Sequence, residues 1–149
     1  MKITYRTQVE SDVVYPSEKF AREVDIYLSD PDGWESQGYT FERTERNPRV
    51  IIHLASPATI LKQSCERADL SCAEMNGRNL WVNAMRWTRG ASESKQPLEN
   101  YRQYVISHEM GHILGHDHVK CPGPGEPAPI MMQQTKGIGQ CKPNTKVTP

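Results

Sequence analysis

The segment His108-Glu109-Met110-Gly111-His112-Ile113-Leu114-Gly115-His116-Asp117-His118 decides how the rest of the chain is read. Its pattern is H-E-x-x-H-x-x-G-x-x-H. In an α-helix each residue advances by about 100°, so His108 and His112 stand one turn apart on one face, about 40° from each other. Two imidazoles in that relation can hold one metal ion. Glu109 lies beside them. It reaches a water on that metal rather than the metal itself, which is the place for a general base. Gly115 lets the chain leave the helix, because glycine tolerates positive φ without steric cost. Beyond the bend His118 can return as a third ligand. His116 and Asp117 compete for that role, and His116 continues the series from His112. Three ligands along one straight helix cannot surround a metal tetrahedrally, however, which favours His118. Three imidazoles with one position left for water make the open site expected of a catalytic zinc.

The helix that carries the segment is expected over Pro97 to Leu114, with Pro97 at its start. Ile106, Met110, Ile113 and Leu114 form one stripe on its wheel. Tyr101, Val105, His108 and His112 form another, roughly opposite. Such a helix has core behind it and a cleft in front. Ser107 and Gly111 are small enough for close packing. Tyr101 and Tyr104 are expected to pack, with substrate contact as the alternative.

Upstream, Ile3, Tyr5, Thr7 and Val9 alternate with Thr4, Arg6 and Gln8, as in a half-buried strand. Pro16 and Ser17 open a helix, Ser17 as its N-cap, with Phe20, Val24, Tyr27 and Leu28 as its apolar stripe. Asp30-Pro31-Asp32-Gly33 stops it. Trp34 is expected to close the core from a loop, a ligand platform being the alternative. Tyr39 to Arg43 and Arg49 to Ala55 are strands. His53, the one histidine outside the motif, is expected at a sheet edge or surface rather than as a ligand. Pro57 to Arg67 is a short helix or an irregular segment, and Asn76-Gly77 is a turn. Asn79 to Trp87 alternates as a strand near a sheet edge. Gly90 to Gln96 is a polar loop. Strand, helix, strand, strand is an α+β opening.

The 18 basic and 18 acidic residues balance, which argues against a nucleic-acid or anionic-membrane partner. No run of about 18 apolar residues exists to insert into a bilayer. At 149 residues the chain is expected to be one domain, 1–149, and a monomer. Met1 to Arg6 has no apolar stretch of the signal-peptide kind. The protein is then either cytosolic or a trimmed fragment starting at an added methionine. Four cysteines favour the second option and an extracellular or cell-envelope location. The expected pairing is local, Cys65 with Cys72 and Cys121 with Cys141, with four free thiols as the alternative. Closing the second loop is worth roughly 3 kcal/mol in the chain-entropy model.

The extended motif resembles that of the metzincin clan of zinc metallopeptidases, in which a tight Met-turn follows beneath the metal. Ala128-Pro129-Ile130-Met131-Met132-Gln133-Gln134-Thr135 looks like that turn. The family-like spacing favours Met131 over Met132 as its methionine, a hydrophobic floor and not a ligand. With Cys121-Pro122-Gly123-Pro124-Gly125, the chain is more similar still to a family of secreted bacterial domains of unknown function, considered metzincin-like. The resemblance is strong from Tyr101 to Cys141 and faint before Asn79. It implies a zincin-like α+β fold: a small twisted mixed β-sheet with a backing helix, a central active-site helix, and a short irregular C-terminal part with the Met-turn. The upper part would be about 1–115 and the lower part about 116–149.

The resemblance further implies Zn2+ held by His108, His112 and His118, with Glu109 as catalytic base and a peptide or protein as substrate. An edge strand would pair with the substrate backbone, Asn79–Trp87 or Ser71–Asn76 being the candidates. Two departures stand out. Several metzincins have a tyrosine two residues after the Met-turn methionine, and here that position is Gln133 or Gln134. Gly137, Gly139 and Pro143 leave little room for a long C-terminal helix, so the lower half of the cleft is expected to be small. Peptide-bond hydrolysis is the expected activity. The alternatives are a zinc-stabilised, non-catalytic binding module of the cell envelope, against which the intact Glu109 speaks, and a hydrolase of a non-peptide amide such as a cell-wall bond.

Overall fold

In the computed structural model, which describes residues 1–63 and 65–149, five strands form one sheet in the order β2-β1-β3-β5-β4. They are β1 (Lys2–Val9), β2 (Thr40–Arg43), β3 (Val50–Ala55), β4 (Cys72–Ala73) and β5 (Asn79–Asn83). The first four in that order run parallel, with Tyr5 opposite Val50 and Ile52 opposite Leu80. The short β4 runs antiparallel along β5 and forms one edge. Parallel neighbours need crossovers. Helix α1 (Ser17–Leu28) lies in the one between β1 and β2, and α2 (Pro57–Lys62) in the one between β3 and β5. The sheet is therefore mixed, as the resemblance implies.

One core fills the space between the sheet and two helices. Ile3 and Tyr5, Val50, Ile52 and Leu54, and Leu80 and Val82 meet the expected α1 stripe of Phe20, Val24, Tyr27 and Leu28. Helix α4 (Leu98–Ile113) is buried nearly all round from Tyr104 to Ile113. Burying each such aliphatic side chain contributes about 1.5–3 kcal/mol. A smaller cluster of Ala55, Ile60 and Cys65 takes in Cys72 and Trp81, and the Cys65–Cys72 disulfide lies in it.

Several expectations need correction. Pro16 rather than Ser17 is the N-cap residue of α1, Ser17 being its first helical residue, and Pro97 is the N-cap residue of the helix that begins at Leu98 rather than its first residue. The proline ring holds φ near −65°, which suits the extended cap conformation as well as the first helical one. The strand expected over Asn79–Trp87 stops at Asn83. Asn83 Oδ1 accepts the Met85 N–H at 3.0 Å, and its Nδ2 donates to the Ala68 carbonyl at 2.7 Å. That cap starts helix α3 (Ala84–Arg89), which turns Trp87 into the core beside Phe20 and Tyr27. β5 is thus an interior strand, and the Ser71–Asn76 stretch supplies the edge. His53 lies on an interior strand too, half-buried, stacked on Trp81 and hydrogen-bonded to Asn79 Oδ1 at 2.9 Å. The segment expected over Pro57–Arg67 is helical to Lys62; its residue 64 lies outside the described residues.

No α-helix follows α4 among the described residues. Buried amides and a disulfide hold that part instead. Gln134 Nε2 donates to the Asn144 carbonyl at 2.9 Å, and Asn144 Nδ2 to the Ala128 carbonyl at 2.9 Å. Cys121 is bonded to Cys141. Lys146 reaches Asp30, and the Val147 and Thr148 amides donate to the Asp32 carbonyl, so the tail is pinned under the end of α1.

Two neighbours approach α4 closely. Trp34 is buried and donates its indole N–H to the Ser107 carbonyl at 2.7 Å. A Cβ at Gly111 would lie 2.3 Å from Met131 Sδ and 2.8 Å from Trp34 Cζ2, so both side chains seat where glycine leaves room. Gly111→Ala is expected to cost about 1–3 kcal/mol in urea unfolding, as overpacking does. Gly111→Ala with Met131→Ala should lose less than the sum of the single losses. Additive losses would show that Met131 is not the obstacle.

Candidate metal centre

The end of α4 is set by two backbone hydrogen bonds. His116 N–H donates to the Gly111 carbonyl at 2.9 Å, and Gly115 N–H to the His112 carbonyl at 3.0 Å. This is a Schellman turn, with Gly115 at φ +97° in the left-handed region. A Cβ there would also lie 2.6 Å from Asn76 Oδ1. Backbone and neighbour both require glycine. Past the turn, Asp117 Oδ1 accepts the His118 amide at 2.7 Å, and the Val119 amide donates to the Met131 carbonyl at 3.1 Å. The chain is thereby folded back across the helix end.

This return brings ring nitrogens of His108, His112 and His118 within 4.8 Å of one another. His112 Nε2 and His118 Nε2 are 3.0 Å apart. Nitrogens about 2.0–2.1 Å from a tetrahedral zinc would be about 3.3 Å from each other. His108 Nδ1 faces the Ile130 carbonyl at 2.8 Å, and His112 Nδ1 faces the His116 carbonyl at 2.8 Å. A carbonyl only accepts, so both Nδ1 atoms carry the proton and both Nε2 lone pairs point at the shared centre. Burial pushes all three imidazoles below their usual pKa, His108 to about 3, with its two histidine neighbours adding to the effect. Neutral imidazoles with oriented lone pairs fit a divalent metal ion.

Glu109 is 5% exposed and lines the same cleft, about 250 Å³ in volume, as the three histidines. Burial pushes its carboxyl up to about 8. The cleft wall on the sheet side is Leu70 to Ala73, including the edge strand; the opposite wall is Gln133, Thr135 and Lys136. Tyr104 lines it as well, but its hydroxyl is engaged. It donates to the Met132 carbonyl at 2.9 Å and accepts the Gln134 amide at 2.8 Å. Tyr101 meets Thr135 Oγ1 at 2.9 Å. Both tyrosines thus pack, and they tie α4 to the Met131 turn.

Of the rival ligands, His116 packs its ring against Trp34, centroids 4.7 Å apart and planes tilted by 31°, and offers the centre only its carbonyl, to His112 Nδ1. Asp117 holds the backbone of His118. Gln134 points into the amide network below, whereas Gln133 lines the cleft. Sequence reasoning missed Asn76, whose side chain sits against Gly115 and whose backbone N–H donates to the His112 carbonyl at 3.0 Å. The Asn76-Gly77 turn signal marked the bend without its target. It also missed the ion pair of Lys136 with Glu66 across the cleft, residues 70 apart in the chain with no local signal.

The sheet, the buried helix and the histidines at its end make up a metzincin-like, zincin-type fold. Among solved structures, the archaemetzincin from Methanopyrus kandleri is similar, with a TM-score of 0.52 and 13% identity over 96% of this chain and 88% of that one. The archaemetzincin from Archaeoglobus fulgidus complexed with malonate has a TM-score of 0.49 and 18% identity over 95% of this chain and 96% of that one. Myroilysin has a TM-score of 0.48 and 14% identity over 79% of this chain, which spans 49% of the myroilysin chain. No curated protein matches in sequence. The family model described as "Protein of unknown function (DUF3152)" matches residues 1–145, and the chain belongs to that family.

The buried carboxyl makes the metal-free protein pH-sensitive. A carboxyl whose folded pKa is raised keeps its proton in the folded state while the unfolded chain loses it. Stability therefore falls as pH rises from about 4.5, the ordinary value, to about 8. The slope is on the order of 1 kcal/mol per pH unit over that window. Urea unfolding of metal-free wild type and Glu109→Gln should show similar stability near pH 4 and a growing advantage for Glu109→Gln towards pH 8. Parallel pH profiles would show that Glu109 is solvated.

Proposed function

We propose that this chain is a zinc-dependent hydrolase of peptide bonds, with His108, His112 and His118 as ligands, Glu109 as general base and Met131 as the floor of the site. The observation that carries the reading is the convergence of three imidazoles, two of them oriented by carbonyls, with a buried carboxyl in one open cleft. Zinc held there would act as a Lewis acid on a carbonyl and lower the pKa of a water toward about 7. Glu109 would take a proton from the attacking water and return it to the leaving nitrogen, so that a C–O bond forms as the C–N bond breaks. The carbonyls of Ile130 and His116 hold two imidazoles in the tautomer that leaves Nε2 free. Gly111 lets the Met131 side chain sit against the helix below them.

An extended peptide would add to the free edge of β4, whose Cys72 and Ala73 line the cleft. Tyr104 is committed to the backbone of Met132 and Gln134, so among the described residues Gln133 is the side-chain amide offered on the wall opposite that edge. The two disulfides favour an oxidising compartment, extracellular or in the cell envelope. No helix among the described residues is long and apolar enough to cross a membrane. The reading takes residues 1–149 as one catalytic domain acting as a monomer.

Purified protein should contain one zinc per chain by elemental analysis, and His118→Ala should lose it. Zinc added to the metal-free protein at about 1,000 times its dissociation constant should add about 4 kcal/mol of stability. Cleavage of an unfolded protein should stop on chelation and fall about 10²–10⁴-fold in Glu109→Gln, the range for loss of a general base. Zinc retention without cleavage of any peptide would favour a binding module, and cleavage of peptidoglycan alone would favour a cell-wall amide.

A further inference from the structure

Lys136 and Glu66 face each other across the mouth of the cleft. Lys136 Nζ lies 3.1 Å from both Glu66 carboxylate oxygens. Lys136 follows the Met131 turn on one wall; Glu66 follows Cys65 in the disulfide-closed loop on the other. Among the described residues Lys136 is the one lysine or arginine lining this cleft. The Glu66 side chain is 62% exposed and that of Lys136 30% exposed. An ion pair this open to water is weak and exchanges readily.

A peptide running between β4 and the Gln133–Lys136 wall has to displace this pair. A neutral peptide would leave the Lys136 ammonium without its partner inside the cleft. A peptide that brings its own carboxylate would replace one charge-assisted pair by another, while Glu66 returns to water. Taking the hydrolase reading as its basis, we propose that Lys136 is a carboxylate-binding specificity residue and that Glu66 fills its place until a peptide arrives. The favoured substrates then carry a carboxylate close to the scissile bond, from an acidic side chain or from the peptide's own C-terminus.

Binding separates these sources and needs no turnover. Zinc-loaded Glu109→Gln protein is titrated with a labelled peptide series, followed by fluorescence anisotropy. In the series a single glutamate or glutamine is walked along one sequence, each peptide made with an amidated and a free C-terminus. At one position the glutamate form, or the free-acid form, should bind about 5–10-fold tighter than the neutral amide. Adding Glu66→Gln should tighten binding of the acidic form further. Adding Lys136→Met should bring the acidic-to-neutral ratio to about one, and Lys136→Arg should preserve it. Equal binding across the series, a ratio that survives Lys136→Met, or no binding by any form overturns the proposal. Library cleavage by wild type tells the two readings apart. Zinc-dependent cleavage with no acidic enrichment leaves the hydrolase standing and removes the role of Lys136. Acid-selective binding with no cleavage does the reverse.

Discussion

The hydrogen bond from His108 Nδ1 to the Ile130 carbonyl joins the two parts of this molecule at the point where the chemistry is read. Above it lies a helix held in the core by the sheet and by α1. Below it lies a turn with no α-helix behind it among the described residues. The contact orients an imidazole and positions the turn at once, so neither can shift alone. Tyr104 to Met132 and Val119 to Met131 repeat the link on either side. Three hydrogen bonds thus converge on three consecutive residues, Ile130 to Met132, beneath the histidines. Met131 fits there because Gly111 has no side chain to oppose it.

The lower segment solves a packing problem with little regular structure. Apart from a 3-10 turn at Gln134–Lys136 and a parallel bridge between Pro127 and Lys142, its backbone groups have no ladder or α-helix to enter among the described residues, and buried polar groups must be satisfied. Gln134 and Asn144 supply the donors and acceptors that a helix would have supplied internally. Gln134 is fully buried, a placement tolerated because both ends of its amide are bonded, to Asn144 and to Gln96. The Cys121–Cys141 bridge closes the same segment covalently. The outcome is a lower cleft wall made of turns, short as the glycines and proline there imply.

The centre was more legible than its surroundings, because its information is local. His108, His112, Gly115 and His118 lie within one short stretch, and helical geometry with one left-handed residue relates them. The stripes of α1 and the alternation of β1 were legible for the same reason. What failed depends on partners distant in the chain. Leu80 to Trp87 alternates well enough for a strand throughout, yet Asn83 caps a helix by accepting the Met85 N–H while its Nδ2 is held by the Ala68 and Leu70 carbonyls, and no alternation reveals that. Which strand forms an edge is a property of the whole sheet. His53 was misplaced because an interior strand can still leave one face half open. The roles of Asn76, Asn144 and Lys136 exist only once loops far apart are brought together.

The order of strands bears on how the molecule comes into being. β1, synthesised before the other four strands of this sheet, lies inside it between β2 and β3, and β3 in turn waits for β5. Loop-closure entropy makes such parallel, non-local pairings slow to form. The three imidazoles are near one another in the chain, but the carbonyl that aims His108 belongs to residue 130. A nascent or refolding chain would therefore possess its histidines well before it could aim them. Maturation of the centre is then coupled to completion of the fold, which keeps half-made molecules from presenting an organised site.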